Sequence, residues 1–307
     1  MQNKILVIRG GAIGDFILTL PVLSALRDRF PKSTIAVMGY PHIVQLAQLG
    51  GLADEIKSIE SRELAPFFAP NARLPEETTR FFGSAAVIIS YLYDPDEIFQ
   101  DNVHRCFHGT FIAGPHRPSE SLKIHATETF LRPLERLAIF SADPTPRINI
   151  QRQTRTAQDD FIWLAVHPGS GSEAKNWPES KWTELLKELS KINKLKILLV
   201  GGEAEGDKID RLASLIPGER LELARCLPLK DLAIRMNECD AFIGHDSGIT
   251  HLAAALGLEG IVLWGPSEPA IWRPRSEKFR IIKSEIGINY IRVDEVLCQL
   301  KTLLRIP

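Results

Sequence analysis

Long apolar runs are missing from this chain. No stretch of its 307 residues reaches the roughly 20 consecutive apolar residues that a membrane-crossing helix needs. Cysteine is scarce: Cys106, Cys226, Cys239 and Cys298 stand alone, without C-x-x-C spacing. That pattern suits neither a zinc site nor a disulfide framework, and the four are expected as reduced core thiols. An excess of one charge is missing too. Lys and Arg number 37 and Asp and Glu 38, so no broad basic field for nucleic acid is expected. There is no G-x-x-x-x-G-K-[ST] phosphate loop and no regular H-x-x-x-H spacing for a metal. The first residues, MQNKILVIRGG, enter a strand at once and lack a signal-peptide core, so a cytoplasmic setting is expected.

What is present is an ordinary globular balance, 44% hydrophobic and 24% charged, over a length that accommodates two domains. Short apolar runs alternate with amphipathic segments. Strands are expected at Lys4 to Ile8, Thr34 to Met38, Glu55 to Ile59, Ala85 to Ser90 and Cys106 to Ala113. Phe16 to Phe30 reads as a helix that Pro21 bends or divides, and His125 to Phe140 as a second amphipathic helix. Leu64 to Leu74 is Pro-rich and reads as a loop over a cleft. Ser141 to Asp160 is polar, lacks periodicity and reads as a linker. The pattern then restarts, and Val293 to Leu304 closes the chain as an amphipathic helix. The expected fold is α/β, with two Rossmann-like doubly wound domains, 1–150 and 151–307, facing across a cleft. The closing helix is in a position to pack back on the first domain.

Five stretches carry candidate chemistry. The strand–turn–helix at residues 241–269, AFIGHDSGITHLAAALGLEGIVLWGPSEP, offers Asp246 or Ser247 as a helix cap. Its helix amides, with His251 one turn in, suit a phosphate and a neighbouring polyhydroxy group. Trp264 and Trp272 flank it and can line it. The loop His167 to Asn176 offers small and hydroxylated residues followed by Lys175. Such a loop either cradles phosphate oxygens or is a plain connection. After Gly201-Gly202, Glu203 and Glu205 suit ribose hydroxyls or act as helix N-terminal acids. In the turn at residues 9–15, Arg9 takes the place of the first glycine of G-x-G-x-x-G, and no acid ends the second strand. A dinucleotide-dependent oxidoreductase or epimerase is therefore disfavoured. Asp15 there is either a capping acid or a general base. A basic run in the first half includes Arg105, His116, Arg117 and Lys123. It is either a solvated face or a surface for an anionic acceptor.

Three of these segments together resemble glycosyltransferase family 9, the ADP-heptose:lipopolysaccharide heptosyltransferases. They are ILVIRGGAIGDFILTLPVLSALRDRFP, VHPGSGSEAKNWPESKW and IGHDSGITHLAAALGLEGIVLWGPSEP, in the family's order. The departure is Glu259-Gly260 where the family usually has proline. The resemblance implies a GT-B fold and metal-independent, inverting transfer, with no cofactor beyond the nucleotide-sugar substrate. It implies Asp15 as the base that deprotonates the acceptor hydroxyl. Ser170, Gly171, Ser172 and Lys175 match the diphosphate loop, and Glu203 or Glu205 the ribose position. Asp246, Ser247, Gly248 and His251 match the segment for the donor sugar and diphosphate. The implied partners are a nucleotide-sugar and an anionic glycolipid at the inner membrane surface, where the protein is expected as a peripheral visitor. A non-catalytic nucleotide-sugar-binding protein is the alternative, and it would have no need of Asp15.

Overall fold

A computed structural model describes residues 4–152 and 161–306. The chain forms two compact units, Met1–Ile148 and Asn149–Pro307. The first unit holds strands β1 (Lys4–Ile8), β2 (Thr34–Gly39), β3 (Glu55–Ser58), β4 (Val87–Ser90) and β5 (Thr110–Ala113). Its helices are α1 (Ile13–Ile17), α2 (Leu20–Arg29), α3 (Pro41–Leu49), α4 (Glu76–Gly83), α5 (Ile98–His104) and α6 (Ala126–Leu131). The sheet is parallel, in the order β3-β2-β1-β4-β5. β1 is a near-continuous apolar run because it is central and covered on both faces.

The expected helix over Phe16 to Phe30 is divided. α1 ends where the Thr19 hydroxyl donates to the Asp15 carbonyl at 2.8 Å, and Pro21 sits in the first turn of α2. Proline lacks the N–H that a continuous helix would require there, so it starts the second helix instead. The helix expected to Phe140 is shortened in the same way. α6 ends at Leu131, and a 3₁₀ segment, Arg132–Leu137, follows with Pro133 in its first turn. The segment expected as a loop over a cleft is in part core: residues 69–74 carry no helix or strand, but the stretch before them is buried on one side. Arg62–Phe68 is a 3₁₀ helix in which Leu64 and Phe67 are buried against Phe82 and Phe99. Their spacing of three is the 3₁₀ repeat, which puts both on one side. The Asn102 amide fastens the segment by donating to the Phe67 and Ala69 carbonyls at 3.0 and 2.9 Å.

The second unit holds β6 (Ile162–His167), β7 (Leu195–Gly201), β8 (Leu221–Arg225), β9 (Ala241–His245), β10 (Glu259–Trp264) and β11 (Phe279–Lys283). Its helices are α7 (Glu179–Leu189), α8 (Lys208–Ala213), α9 (Leu229–Asn237), α10 (Gly248–Ala255), α11 (Pro269–Trp272) and α12 (Val293–Leu304). The parallel order is β11-β10-β9-β6-β7-β8. The apolar face of α12 (Val293, Val296, Leu300 and Leu304) joins the core that contains Trp182 and Leu185. That face is filled by its own unit. The cysteines differ from expectation as well. Only Cys239 is buried; Cys106 is half-buried, and Cys226 and Cys298 are exposed. Residues 141–152 carry no helix or strand, and the rest of the expected linker, 153–160, lies outside the described residues.

Both sheets reverse their strand order beside a central strand. In the first unit the reversal lies between β1 and β4, and in the second between β6 and β9. Right-handed crossovers then send the helices after those neighbouring strands to opposite faces. A crevice opens at the carboxyl edge between the two departing loops, the usual place for a ligand in such sheets.

The assignment of the Arg62–Phe68 segment to the core is testable. Phe67→Ala is expected to cost roughly 3–5 kcal/mol in guanidinium denaturation, as for a fully buried aromatic. A cost below about 1 kcal/mol would instead fit a surface loop.

Candidate functional site

In the second unit the parallel register sets His167 opposite Gly244. The loop that leaves β6 and the turn that leaves β9 therefore lie side by side. Ser247 caps α10, its hydroxyl accepting from the Thr250 amide at 3.4 Å. The choice left open between Asp246 and Ser247 thus falls on Ser247, and the Asp246 carboxylate is available for other contacts. Asp246 is 6% exposed at its side chain and pairs with Lys175 at 2.6 Å, Nζ to Oδ2. The same oxygen accepts from the Ser267 hydroxyl. The Lys175 side chain remains 32% exposed, while the carboxylate it pairs with is desolvated. Gly265 permits this closeness, because a Cβ there would stand 3.2 Å from Lys175 Cα.

The loop over residues 168–176 is shaped from within. The Ser170 hydroxyl lies 2.8 Å from both the Asn176 side-chain oxygen and the Ser172 carbonyl, and accepts from the Ser172 amide at 3.3 Å. Ser170 is buried, while Gly171 and Ser172 are exposed at the crest. Beneath the loop lies His245, fully buried. Its Nε2 accepts from the Trp177 amide at 2.9 Å, so the ring proton is assigned to Nδ1, 3.2 Å from the Gly169 carbonyl. Burial drives its pKa down to about 3. His167 is driven down to about 4, mainly by burial, with Glu205 opposing the shift. Its Nδ1 lies 3.4 Å from the Ser247 hydroxyl and its Nε2 4.0 Å from Glu205.

Glu205 and Glu203 differ in placement. Glu205 is buried, accepts from the Gly202 amide at 2.5 Å and lies against Gly169, where any Cβ would overlap its carboxylate. Glu203 points to solvent. Lys208 donates to the Pro168 carbonyl at 2.9 Å, and its pKa is lowered first by burial. Gly248 begins α10, and His251 is buried one turn along, its amide donating to the Ser247 carbonyl at 3.2 Å. Trp264 is fully buried and donates to the Ser267 carbonyl at 2.7 Å. It supports Ser267 from below and is not a wall of the site; Trp272 is half-buried. Sequence reasoning missed Ser267, His245 and Lys208. Ser267 and His245 each sit at or just after a strand end, the signal that could have found them.

At the carboxyl edge of the first unit, Asp15 is in the first turn of α1 and 27% exposed at its side chain. Its Oδ2 accepts from the Ala12 amide at 3.1 Å, so it does cap the helix. Its Oδ1 faces Arg9 Nη2 at 3.7 Å. Arg9 is 3% exposed, donates to the His116 carbonyl at 2.9 Å and stacks over Phe130 at 4.4 Å. Among the described residues its Nε has no hydrogen-bond partner. Burial lowers the Arg9 pKa while Asp15 raises it. The basic run does not form one surface. His116, Arg117 and Lys123 follow β5 at this carboxyl edge and are exposed. Arg105 follows α5, just before β5, and so lies at the opposite edge. It donates there to Asn102 and the Ala72 carbonyl, each at 2.8 Å. The expectation that Arg105 joins the other three is therefore corrected.

The second-unit edge thus combines a solvent-facing ammonium, a desolvated carboxylate, a hydroxylated loop and a helix N-terminus. Such a set can bind a phosphate beside hydroxyl groups. The first-unit edge offers one carboxylate that can accept a proton.

The family model described as glycosyltransferase family 9 (heptosyltransferase) matches residues 118–296. The match takes in the whole second-unit site and excludes Asp15. Lipopolysaccharide heptosyltransferase 2 of Salmonella typhimurium is 32% identical over 124 residues, 39% of this chain and 35% of that protein. Lipopolysaccharide heptosyltransferase 2 of Escherichia coli K12 is 22% identical over 94% of this chain and 90% of its own. Among solved structures, E. coli heptosyltransferase WaaC with ADP superposes with a TM-score of 0.76 at 17% identity, covering 98% of this chain and 99% of that one. At that identity the likeness is one of fold, the GT-B type built from two Rossmann-like units.

The two buried histidines predict a pH dependence of stability. Both folded-state pKa values lie below the ordinary 6.5, so the unfolded chain takes up protons first as pH falls. Stability is therefore expected to be full above about pH 6.5 and to decline from there toward pH 4. Each histidine contributes a slope of up to about 1.4 kcal/mol per pH unit. Denaturant midpoints between pH 7 and 4.5 should be less steep in pH for His167→Gln than for the parent. Equal slopes would show that His167 is not held neutral.

Proposed function

The chain belongs to glycosyltransferase family 9, and from that premise we propose that it transfers a sugar from a nucleotide-sugar to a lipopolysaccharide core acceptor. The donor in this reading is ADP-heptose, supported by the heptosyltransferase names of the relatives and by ADP in the WaaC structure. The observation that carries the reading is the Lys175–Asp246–Ser267 cluster beside the exposed crest of the 168–176 loop. The diphosphate lies against Gly171, Ser172 and Lys175, near the start of α10 at Ser247 and Gly248. Ser170 shapes that loop. Asp246 accepts hydroxyls of the donor sugar once Lys175 turns to the phosphate. Glu205, buried beside the loop, holds the ribose in preference to the exposed Glu203. His251 supports the turn from within α10.

Departure of the nucleoside diphosphate builds negative charge. Lys175 and the helix dipole oppose that charge, so the chemistry runs without a metal. Asp15 takes the proton of the acceptor hydroxyl as that oxygen attacks the anomeric carbon. A single displacement inverts the configuration there. The Arg9 guanidinium lies 3.7 Å from the Asp15 carboxylate. The acceptor is an anionic glycolipid at the inner membrane surface, met by His116, Arg117 and Lys123. Among the described residues no helix is long and apolar enough to cross a membrane. Contact with such an acceptor is therefore peripheral in this reading.

Three measurements test it. Calorimetry with ADP-, UDP- and GDP-sugars should give binding to the ADP-sugar; preference for another base would overturn the donor assignment. Asp15→Ala should lower turnover by roughly 100-fold or more while ADP-sugar affinity stays near that of the parent. Turnover within a few-fold of the parent would remove Asp15 as the base. Lys175→Ala should weaken donor binding by about 10- to 100-fold, the loss of a charge-assisted contact, and unchanged affinity would take Lys175 out of the site.

A further inference from the structure

His245 ends β9 and spans the two ends of the 168–176 loop. Nδ1 donates to the Gly169 carbonyl at the loop's start, and Nε2 accepts from the Trp177 amide at its finish, at 3.2 and 2.9 Å. The ring cannot easily turn away. It meets Trp182 edge-on with centroids 5.4 Å apart, and Trp182 meets Trp177 in the same manner at 5.3 Å. The backbone of His245 is tied as well, since its carbonyl accepts from the Thr250 hydroxyl in the first turn of α10. One residue therefore fixes the beginning of the loop, its end and the helix that starts beside it.

This arrangement asks for something a packing residue would not supply. The Gly169 carbonyl needs a donor and the Trp177 amide needs an acceptor, both inside the protein. A neutral imidazole offers one of each on opposite sides of a rigid ring. An apolar residue of the same size would fill the space and leave both backbone groups buried without partners. Between the two fixed points lie Ser170, the exposed Gly171 and Ser172, and Lys175.

We propose that His245 is a positioning residue for the donor diphosphate, holding the 168–176 loop at both ends so that its crest and Lys175 keep their places beside Asp246. The role rests on the reading of this loop as the diphosphate site. His245 does not touch the donor. It lowers the cost of ordering the loop when the phosphates arrive.

The test compares ADP with adenosine, which lacks the phosphates, on the purified full chain by calorimetry. His245→Phe keeps the ring against Trp182 and removes both hydrogen bonds. It is expected to weaken ADP binding about tenfold, with adenosine affinity within about twofold of the parent. His245→Asn keeps a donor toward Gly169 and withdraws the acceptor from Trp177, and should fall between the two. A general structural defect would weaken ADP and adenosine together, and that result overturns the proposal, as does unchanged ADP affinity in both variants. Should His245→Phe fail to fold, His245→Asn decides through amide hydrogen exchange. Faster exchange at Trp177, with weaker ADP binding, supports the role; unchanged exchange overturns it. A parent protein that binds none of ADP, UDP and GDP overturns the functional reading and this role with it. A parent that binds ADP as tightly as its His245 variants overturns only the role.

Discussion

The candidate site of the second unit depends on one pairing, that of β6 with β9, which sets His167 opposite Gly244. Neither strand carries the site alone. β6 delivers the hydroxylated loop and Lys175, and β9 delivers His245, Asp246 and the capped helix. A slip of one residue would turn every side chain of β9 to the other face of the sheet. His245 would then leave the loop, and Ile243, fully buried in the second-unit core, would face the wrong layer. The apolar core thus enforces the register, and the register aligns the polar groups. Packing and site geometry are here the same constraint, because Ile243 and His245 share one face of the strand.

Below the loop the two histidines are kept neutral, and the buried carboxylates Asp246 and Glu205 are each hydrogen-bonded. His167 and His245 are buried and uncharged at neutral pH. Lys175 is the partly exposed cation, and Asp246 is buried only because an ammonium and a hydroxyl meet it. A buried carboxylate without such partners would be costly. This arrangement leaves a partly exposed cation above two neutral imidazoles, a form suited to an arriving anion.

Much of this was legible in the sequence, and what was not has physical causes. β1 and β6 announce themselves as continuous apolar runs, as central parallel strands do, and α12 has the bounds its apolar period predicts. Pro21 was read as a possible divide and is one. Leu64 to Leu74 reads as a loop because it is irregular and Pro-rich; the burial of Leu64 and Phe67 depends on Phe82 and Phe99, which lie well along the chain and which no local pattern reveals. Asp246 and Lys175 each stand out in the sequence, yet their ion pair joins residues 71 positions apart, which no local pattern reveals. Arg105 was grouped with His116, Arg117 and Lys123 because they are near in sequence. A single strand, β5, separates them and carries the chain from one edge of the sheet to the other. Glu203 and Glu205 could not be told apart until a 3₁₀ turn directed one inward and the other to solvent.

Arg9 gives the first unit an unusual property. Its guanidinium is enclosed by Phe130 and the His116 carbonyl, and Asp15 is the carboxylate that faces it. Acids in active sites commonly tax a protein's stability, so that replacing them makes the fold tougher while it loses activity. Here the acid neutralises a cation that has no route to water. In the proposed mechanism, robustness and reactivity draw on the same carboxylate. On that mechanism, a lineage that abandoned the chemistry would gain nothing in durability by discarding Asp15 alone; it would have to remodel Arg9 in the same step.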